Sequence, residues 1–413
     1  MDKNASTIIV PDRRERFREF MKRFNPAVPA MSAIADGLIC QRSGQSIYKK
    51  LAARADLTPG CQQLLVGGIG SGKTTELLMA ESELRDSVHT LPLYIDVSAE
   101  TDLSAVNSGA LLMSLGIRAW KEIKSKFDPP NELTEVYETI KKSAYGYEKQ
   151  VWDWDREYEP DPDDEAQFLR TIKVPGKLKQ PFSAFHGDVV QLRMSVAALT
   201  DFLKAQGLEL VAVFDGLDRL TKADKFWSVV EQDLQAIKLL EISVLAAGPL
   251  SIMYGEGRQV KDYFEEVYYL APAIADPTKS PFLLEILRKR GAEDFMGQDQ
   301  MRRLCLASGG VLRDLISLAR SAGENAYLEN LDEVGSEQVD QAIEQLGNSY
   351  LLGLGTHQKW ILKKLLIGGG FSPLDSESLE LLMTRRILEQ SESRYEVHPA
   401  LASVLKQTLE GES

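Results

Sequence analysis

The sequence predicts an α/β fold in which a parallel sheet is covered by helices, followed by a helical region and a winged helix. Between residues 61 and 278, short apolar runs alternate with stretches of helical spacing, and strands separated by helices form parallel sheets. A glycine-rich loop joins the first of these runs to the first helix. After residue 280 the strands stop, and two short ones return only near the C-terminus.

The chain of 413 residues is long enough for two or three domains, and its 44% hydrophobic content is ordinary for a globular protein. The pattern divides it into four parts. These are a helical N-terminal segment (1–60), an α/β core (61–278) with an insertion at about 125–187, a helical region (279–348) and a winged-helix domain (349–413).

The composition of the chain indicates in which cellular compartment the protein is expected. The start of the chain is polar, which speaks against a secretory signal, and no run of about 18 apolar residues would span a membrane. Cys40, Cys61 and Cys305 lack metal-ligand spacing, and the four histidines are dispersed. A sparse, odd set of cysteines fits a reducing interior. We therefore expect a cytoplasmic protein with no membrane contact.

The net charge of −13 disfavours nucleic acid as the main partner, because proteins that hold phosphates of duplex DNA usually show a basic face. A local basic patch lies at residues 13–24, where Phe17, Phe20 and Phe24 recur at helical spacing. An amphipathic helix docked on a neighbouring element is one interpretation of it. Contact with nucleic acid is the other.

The glycine-rich loop reads G-x-x-x-x-G-K-T and directly follows the apolar run 63–66. In this setting the backbone N–H groups form a cradle for phosphates, and the next helix points its positive end at them. Lys73 can reach the β- and γ-phosphates, and the Thr74 hydroxyl can bind Mg²⁺. The motif predicts binding of a nucleoside triphosphate, ATP with Mg²⁺, by Gly67, Gly68, Ile69, Gly70, Ser71, Gly72, Lys73, Thr74 and Thr75.

The remaining elements follow from periodicity. The sequence predicts strands at 91–97, 208–215, 242–247 and 267–270, helices at 75–83, 102–117, 188–206, 357–367 and 376–383, and a strand pair at 386–388 and 394–397. The stretch 125–187 is expected to be irregular, and its acidic, Trp-rich part is residues 152–165. That part is either an arm that contacts a partner subunit or a plain surface excursion.

Two carboxylates follow the strongest strand. Asp215 ends it, where a carboxylate can hold the Mg²⁺ that bridges the phosphates, although a loop or capping aspartate is an alternative. Asp218 lies one short turn later and could orient and partly deprotonate an attacking water, or be purely structural. We predict catalytic roles for both, with Thr74 and Asp215 as the metal ligands.

An apolar strand followed by Asp-Gly-Leu-Asp, downstream of the phosphate loop, resembles the signal-transducing STAND class, including NACHT ATPases, within the AAA+ group. The segment 308–315 is similar to the start of the AAA+ lid helix. A lid followed by a winged helix is also the order in STAND proteins and in replication initiators. The resemblance covers about 61–110 and 205–413.

The resemblance implies roles for arginines. It places Arg313 on the γ-phosphate from the lid of the same chain, although a surface arginine at a helix start is an alternative. Arg258 lies in the region that supplies a finger to the neighbouring subunit in AAA+ rings, and Arg219 is a weaker candidate. Such an arginine in trans raises phosphoryl transfer by about 10³–10⁵. A homo-oligomer formed on ATP binding is therefore expected.

The chain also departs from these patterns. Gly216 stands where AAA+ enzymes place a glutamate, and Arg219 stands where STAND proteins often have a further acid. The strand end at 246–249 lacks the usual polar residue, and Ser251 is the nearest candidate for it. The missing glutamate predicts slow hydrolysis.

Three functions remain open at this point. The first is an ATP-driven switch that controls assembly or signalling to an effector protein; the family resemblance suggests bacterial anti-phage defence. The second is a nucleic-acid-handling ATPase of the initiator or transposition-helper type. The third is a regulatory nucleotide-binding subunit. Residues 350–413 carry seven Lys or Arg against eight Asp or Glu, so a winged helix that latches the ATPase core is favoured over one that reads DNA.

Overall fold

The computed structural model describes residues 12–42, 46–100, 103, 106–144, 189–220, 222–254, 260–390 and 394–411. Within that part, no helix combines the length and apolarity needed to cross a membrane. The strands are β1 (Gln62–Val66), β2 (Thr90–Asp96), β3 (Glu209–Asp215), β4 (Ser243–Gly248), β5 (Glu266–Tyr269), β6 (Ile387–Glu389) and β7 (Tyr395–Val397).

The helices of the described chain alternate with these strands in its first part. They are α1 (Arg13–Arg23), α2 (Ala30–Ala35), α3 (Ile47–Leu57), α4 (Lys73–Arg85), α5 (Val97–Glu100), α6 (Ala110–Lys126), α7 (Asn131–Ala144), α8 (Val189–Ala205), α9 (Ala223–Leu239), α10 (Phe282–Lys289), α11 (Gln298–Ala307), α12 (Leu312–Leu328), α13 (Ser336–Leu351), α14 (Thr356–Leu366), α15 (Ser376–Met383) and α16 (Pro399–Gly411).

The chain divides into two compact units. The sheet unit comprises Ile47–Val66 and Glu76–Tyr268, and the loop–lid unit comprises Met1–Ser46, Gly67–Thr75 and Tyr269–Ser413. This division does not follow the four predicted parts, whose boundaries stay a prediction.

A five-stranded sheet of order β2-β3-β4-β1-β5 forms the centre of the sheet unit. The β2–β3, β3–β4 and β4–β1 pairs are all parallel. Strands β1 and β4 are buried at every residue, as expected of parallel strands covered on both faces. Pro92 lies within β2. Proline cannot donate a hydrogen bond to a neighbouring strand, and β2 tolerates it because an edge strand has a neighbour on one side only. The predicted P-loop NTPase fold of the AAA+ kind is confirmed.

Two helices correct the predictions for this unit. The helix expected at 102–117 begins only at Ala110 and runs to Lys126. The stretch expected to be irregular from 125 contains α7, which stacks Tyr137 on Trp120 of α6 with ring centroids 5.0 Å apart. Pro129 and Pro130 directly precede α7, and proline is common at the start of a helix. The acidic, aromatic residues 152–165 lie outside the described residues.

The loop–lid unit is built on helices α10 to α13, the predicted lid. Helix α1 packs on α12, and Phe17, Phe20 and Phe24 are each at most 2% exposed in this core. The predicted amphipathic helix that docks on a neighbour is therefore confirmed. Arg13 donates from Nη2 to the carbonyls of Tyr327 and Leu331, where α12 ends, and such contacts satisfy helix-end carbonyls.

The winged helix consists of α14, α15, the antiparallel pair β6–β7, and α16. The winged helix packs closely against two glycines of the lid, Gly309 and Gly347. A side chain at Gly309 would collide with Leu388 and Pro399, and one at Gly347 would collide with the backbone of Ala400. The C-terminal winged helix predicted from the order of elements is present.

Candidate functional site

The phosphate loop has the backbone that its motif requires. Strand β1 ends at Val66, and α4 begins at Lys73. Gly70 and Gly72 have φ values of 78° and 105°, in the left-handed region where glycine alone avoids a steric penalty. The loop therefore curls back on itself before α4, so that the positive end of the helix directly follows it.

Neighbouring residues closely approach three of the glycines of this loop, Gly67, Gly70 and Gly72. A methyl group on Gly67 would lie 2.7 Å from the carbonyl oxygen of Leu270. One on Gly70 would lie 2.8 Å from Cβ of Arg313, and one on Gly72 would lie 3.2 Å from Cδ1 of Leu312. The start of the lid helix α12 thus packs directly against the loop. This contact explains the extra glycine at position 70, which the minimal motif does not require.

The loop contains two groups suited to a bound phosphate. Lys73 is 4% exposed, and its Nζ donates to the carbonyls of Gly67 and Gly68 at 2.8 and 3.1 Å. The buried Oγ of Ser71 lacks a hydrogen-bond partner among the described residues, although buried polar groups are normally paired. A phosphate oxygen would supply that partner. The residues present therefore fit the phosphates of a nucleotide.

Arg42 is a site residue that sequence reasoning missed. Its Nη2 donates to the carbonyl of Ser71 at 2.6 Å, and its Nη1 donates to that of Ala271 at 2.9 Å. The guanidinium thereby ties the phosphate loop to the segment after β5. A lone arginine between Gln41 and Ser43 carries no pattern that could have indicated this role.

Arg313 is the second residue of α12, and its Cβ lies against Gly70. The structure thus brings the predicted lid arginine beside the phosphate loop, with an exposed side chain. Its contact with the γ-phosphate stays a prediction.

In the sheet unit, Asp215 is held from two sides at the end of β3. It is 4% exposed; its Oδ2 accepts from the Tyr94 hydroxyl at 2.7 Å, and its Oδ1 accepts from the Gly216 N–H at 2.8 Å. Burial, followed by the charge of Asp215, raises the pKa of Tyr94, so its hydroxyl stays protonated. Tyr94 therefore fixes the orientation of the Asp215 carboxylate, and no motif in the sequence indicates this contact.

Asp96 ends β2 and pairs with Asp215 in the parallel register. Its Oδ1 accepts from the Ser98 hydroxyl at 2.6 Å and from the N–H groups of Ser98 and Ala99 at 3.1 and 3.2 Å, which caps α5. Gly216 has a φ of 82°, and a methyl group on it would lie 2.9 Å from the same Oδ1. The side chain of Asp96 thus occupies the space that a glutamate at 216 would enter.

The other predicted site residues stay predictions. Asp218 is partly buried in the 3₁₀ turn Leu217–Arg219, where Arg219 is exposed, and Ser251 is buried in the turn Leu250–Met253. Thr74 belongs to the loop–lid unit and Asp215 to the sheet unit, and their role as metal ligands stays a prediction. Arg258 lies outside the described residues.

The described ranges contain no group of three or more His, Cys, Asp and Glu side chains that could hold a metal ion. Mg²⁺ in nucleotide sites is usually held by one or two carboxylates together with the substrate phosphates.

No model of a known protein family matches the chain, and no curated protein matches its sequence. Solved structures are similar to it in fold. The Aeropyrum pernix ORC1 protein in complex with DNA is 16% identical, over 90% of this chain and 84% of that one, with a TM-score of 0.42. The Aeropyrum pernix ORC2 protein in its ADP form is 12% identical, over 95% and 98%, with a TM-score of 0.45.

A third similar structure is the RuvB Holliday junction branch migration motor of Thermotoga maritima. It is 15% identical, over 89% of this chain and 98% of that one, with a TM-score of 0.41. Likenesses of this size bear on fold alone. The fold class itself is defined by the sheet, the phosphate loop, the lid and the winged helix of this chain.

Proposed function

We propose that this protein binds MgATP and hydrolyses it slowly, as a nucleotide-controlled ATPase. The observation that carries the proposal is the phosphate loop, which contains buried Lys73 and the unpaired Ser71 hydroxyl and is closely approached by its neighbours at Gly67, Gly70 and Gly72. Bound Mg²⁺ would neutralise charge on the phosphates. Thr74 and Asp215 are the residues we propose to hold it, with Asp218 orienting the attacking water.

Calorimetry on the Lys73→Ala variant tests the binding step. A charge-assisted hydrogen bond contributes about 1.5–3 kcal/mol, so the affinity for MgATP should fall at least tenfold. Lys279→Ala removes an exposed lysine from the same unit and should leave the affinity unchanged. Equal affinities in both variants would refute the proposed function.

For hydrolysis, we propose that Asp215→Ala abolishes Mg²⁺-dependent activity and that Asp218→Asn slows it while binding persists. An amide keeps the shape of the side chain but cannot accept the proton of the water. Full activity in Asp218→Asn would assign that residue a structural role.

We set nucleic-acid handling beside the STAND-like switch as the second candidate. The similar solved structures include a protein in complex with DNA and a Holliday junction branch migration motor. One observation on this chain favours the nucleic-acid candidate. Trp360 on α14 is 55% exposed, stacks on His357, and has Nζ of Lys364 5.3 Å from its ring centroid, with exposed Lys359 beside it.

An exposed aromatic ring with neighbouring lysines can stack on a base while the ammonium groups bind phosphates. Fluorescence anisotropy with labelled single- and double-stranded DNA, between 50 and 200 mM salt, tests this candidate. Trp360→Ala and Lys364→Ala should weaken binding, and Lys406→Ala on α16 is the matched control. Absence of binding at the lowest salt would leave the protein-directed switch as the function.

We also propose that ATP binding drives assembly and that an effector protein receives the signal, with Arg258 as the arginine acting in trans. Mass measurement with and without MgATP tests the assembly. In a mixture, Arg258→Ala subunits and Lys73→Ala subunits should recover some activity, because each supplies what the other lacks. Activity that does not depend on protein concentration, with no recovery in the mixture, would indicate a monomer.

A further inference from the structure

Arg385 brings a positive charge from the winged helix to the phosphate loop. It lies between α15 and β6. A methyl group on Gly70 of the loop would lie 3.6 Å from Nη1 of Arg385. Its side chain is only 19% exposed, so the guanidinium is held close to the loop rather than extended into solvent.

The position of this guanidinium is fixed by a buried carboxylate. Nη1 donates to Oδ1 of Asp314 at 2.7 Å, and Asp314 is 3% exposed on the first turn of the lid helix α12. Oδ2 of Asp314 accepts from the Tyr350 hydroxyl at 2.6 Å and lies 3.2 Å from Nε2 of His398. Nδ1 of His398 accepts from the Ala400 N–H, so its ring hydrogen is on the Nε2 that faces Asp314.

Asp314 is ionised in this network. Burial alone would raise its pKa, but the hydrogen bond with His398 and the charge of Arg385 outweigh burial and lower the pKa below its usual value. The guanidinium of an arginine has five N–H donors, and Asp314 accepts from only one of its nitrogens, Nη1. The remaining donors can serve a second anion.

The backbone at Arg385 is consistent with a constrained position. Its φ is 64°, in the left-handed region, just after the end of α15, where glycine is common. An arginine pays a conformational penalty of about 1–2 kcal/mol there. Arg386, by contrast, donates to the carbonyls of Tyr350 and Leu352 at 2.8 and 2.5 Å, which is a purely structural contact within the described chain.

We propose that Arg385 is a phosphate-binding residue of the nucleotide site, contributed by the winged helix and positioned by Asp314. The ligand it takes is the polyphosphate of a nucleoside di- or triphosphate, so the inference rests on the proposed function. Arg42 and Arg313 also lie against the loop, Arg42 at Ser71 and Arg313 at Gly70. The winged helix is thereby part of the binding site.

Calorimetry with MgATP and MgADP on the wild type, Arg385→Gln and Arg386→Gln tests this inference. Glutamine at 385 stays polar but is shorter and carries no charge. Arg385→Gln should weaken binding of one or both nucleotides by about tenfold or more. If the affinity falls for MgATP alone, Arg385 contacts the γ-phosphate. Arg386→Gln, the matched control, should bind within about twofold of the wild type. Arg385→Lys, which restores the charge, should recover part of the affinity.

An Arg385→Gln affinity within about twofold of the wild type for both nucleotides, in a protein that Lys73→Ala disables, overturns this inference and leaves the proposed function intact. A wild type that binds neither nucleotide overturns both. Hydrogen exchange of the backbone amides tests the inference on the wild-type protein, without a substitution. MgATP should protect the backbone amides around Arg385, and unchanged exchange there counts against the inference.

Discussion

At the residue scale, Gly216 explains how this chain departs from the AAA+ pattern. The position combines a φ of 82° with the carboxylate of Asp96 on the side that a Cβ would occupy. A glutamate here would need a strained backbone and the displacement of the cap on α5. The glycine is therefore required by the local structure, and any water-activating carboxylate has to come from another position. Asp218 remains our candidate for that role.

Gly216→Ala should destabilise the protein by about 1–3 kcal/mol, because the left-handed backbone and the contact with Asp96 both oppose a side chain. Gly207→Ala separates the two effects, since Gly207 has a φ of 77° with nothing within 4 Å of the added methyl. Urea unfolding at equilibrium measures the difference. A cost at 216 no larger than that at 207 would mean that Asp96 moves aside freely.

Tyr94→Phe removes the hydroxyl that orients Asp215 and leaves the ring in β2. If Asp215 holds Mg²⁺, the concentration of Mg²⁺ that gives half-maximal ATP binding should rise several-fold, since orienting hydrogen bonds tune metal ligands. Calorimetric titrations of ATP at several Mg²⁺ concentrations report this effect without relying on turnover. An unchanged Mg²⁺ dependence would separate the Tyr94–Asp215 contact from metal binding.

At the scale of elements, two helices owe their positions to distant side chains. Helix α6 begins where Asp233 of α9 accepts from the N–H groups of Gly109 and Leu111 at 2.5 and 2.8 Å. Such a carboxylate satisfies N–H groups that a helix start leaves unpaired. Helix α1 is held by phenylalanines; Phe20 is 2% exposed and lies against Gly323 of α12.

The Asp233 cap makes stability depend on pH. Burial raises the pKa of Asp233 to about 7, although the backbone N–H groups that donate to its carboxylate act to lower the pKa. Between about pH 4 and pH 7 the folded chain then holds a proton that the unfolded chain has lost, so stability should fall as pH rises, by on the order of 1 kcal/mol per pH unit from this group. Urea unfolding from pH 4.5 to 7.5 should show this slope reduced in Asp233→Asn; identical slopes would contradict it.

Phe20→Ala should cost about 3–5 kcal/mol, the usual range for emptying a buried phenylalanine site. Leu328→Ala on α12, where the side chain is 71% exposed, should change stability by less than about 0.5 kcal/mol. Thermal or urea unfolding compares the two. A small effect at Phe20 would show that α1 contributes little to the stability of the loop–lid unit.

At the scale of the whole molecule, the phosphate loop belongs to the same compact unit as the lid and the winged helix, whereas the strand that precedes it belongs to the sheet unit. Close packing in that unit involves Gly70 and Gly72 with the start of α12, and Gly309 and Gly347 with the winged helix. A nucleotide held by the loop would therefore stabilise the lid and the winged helix along with it.

MgATP should consequently raise the stability of the folded protein by mass action, by about 2.7 kcal/mol at a hundredfold excess over the dissociation constant. Differential scanning calorimetry with and without MgATP measures the shift, and Lys73→Ala should reduce it at the same nucleotide concentration. A shift of equal size in that variant would place the stabilising nucleotide elsewhere.

Local patterns in the sequence were enough to predict several features of this protein. These are the strands, the phosphate loop, the carboxylate that ends β3, the lid and the order of the winged helix, because each depends on residues a few positions apart. Only the tertiary structure revealed Arg42, Tyr94 and Arg385, and the cap from Asp233 that shifts the start of α6. Each of these side chains acts on a group 29 or more positions away in the chain. No periodicity or motif records such a contact, since it depends on how helices and strands pack.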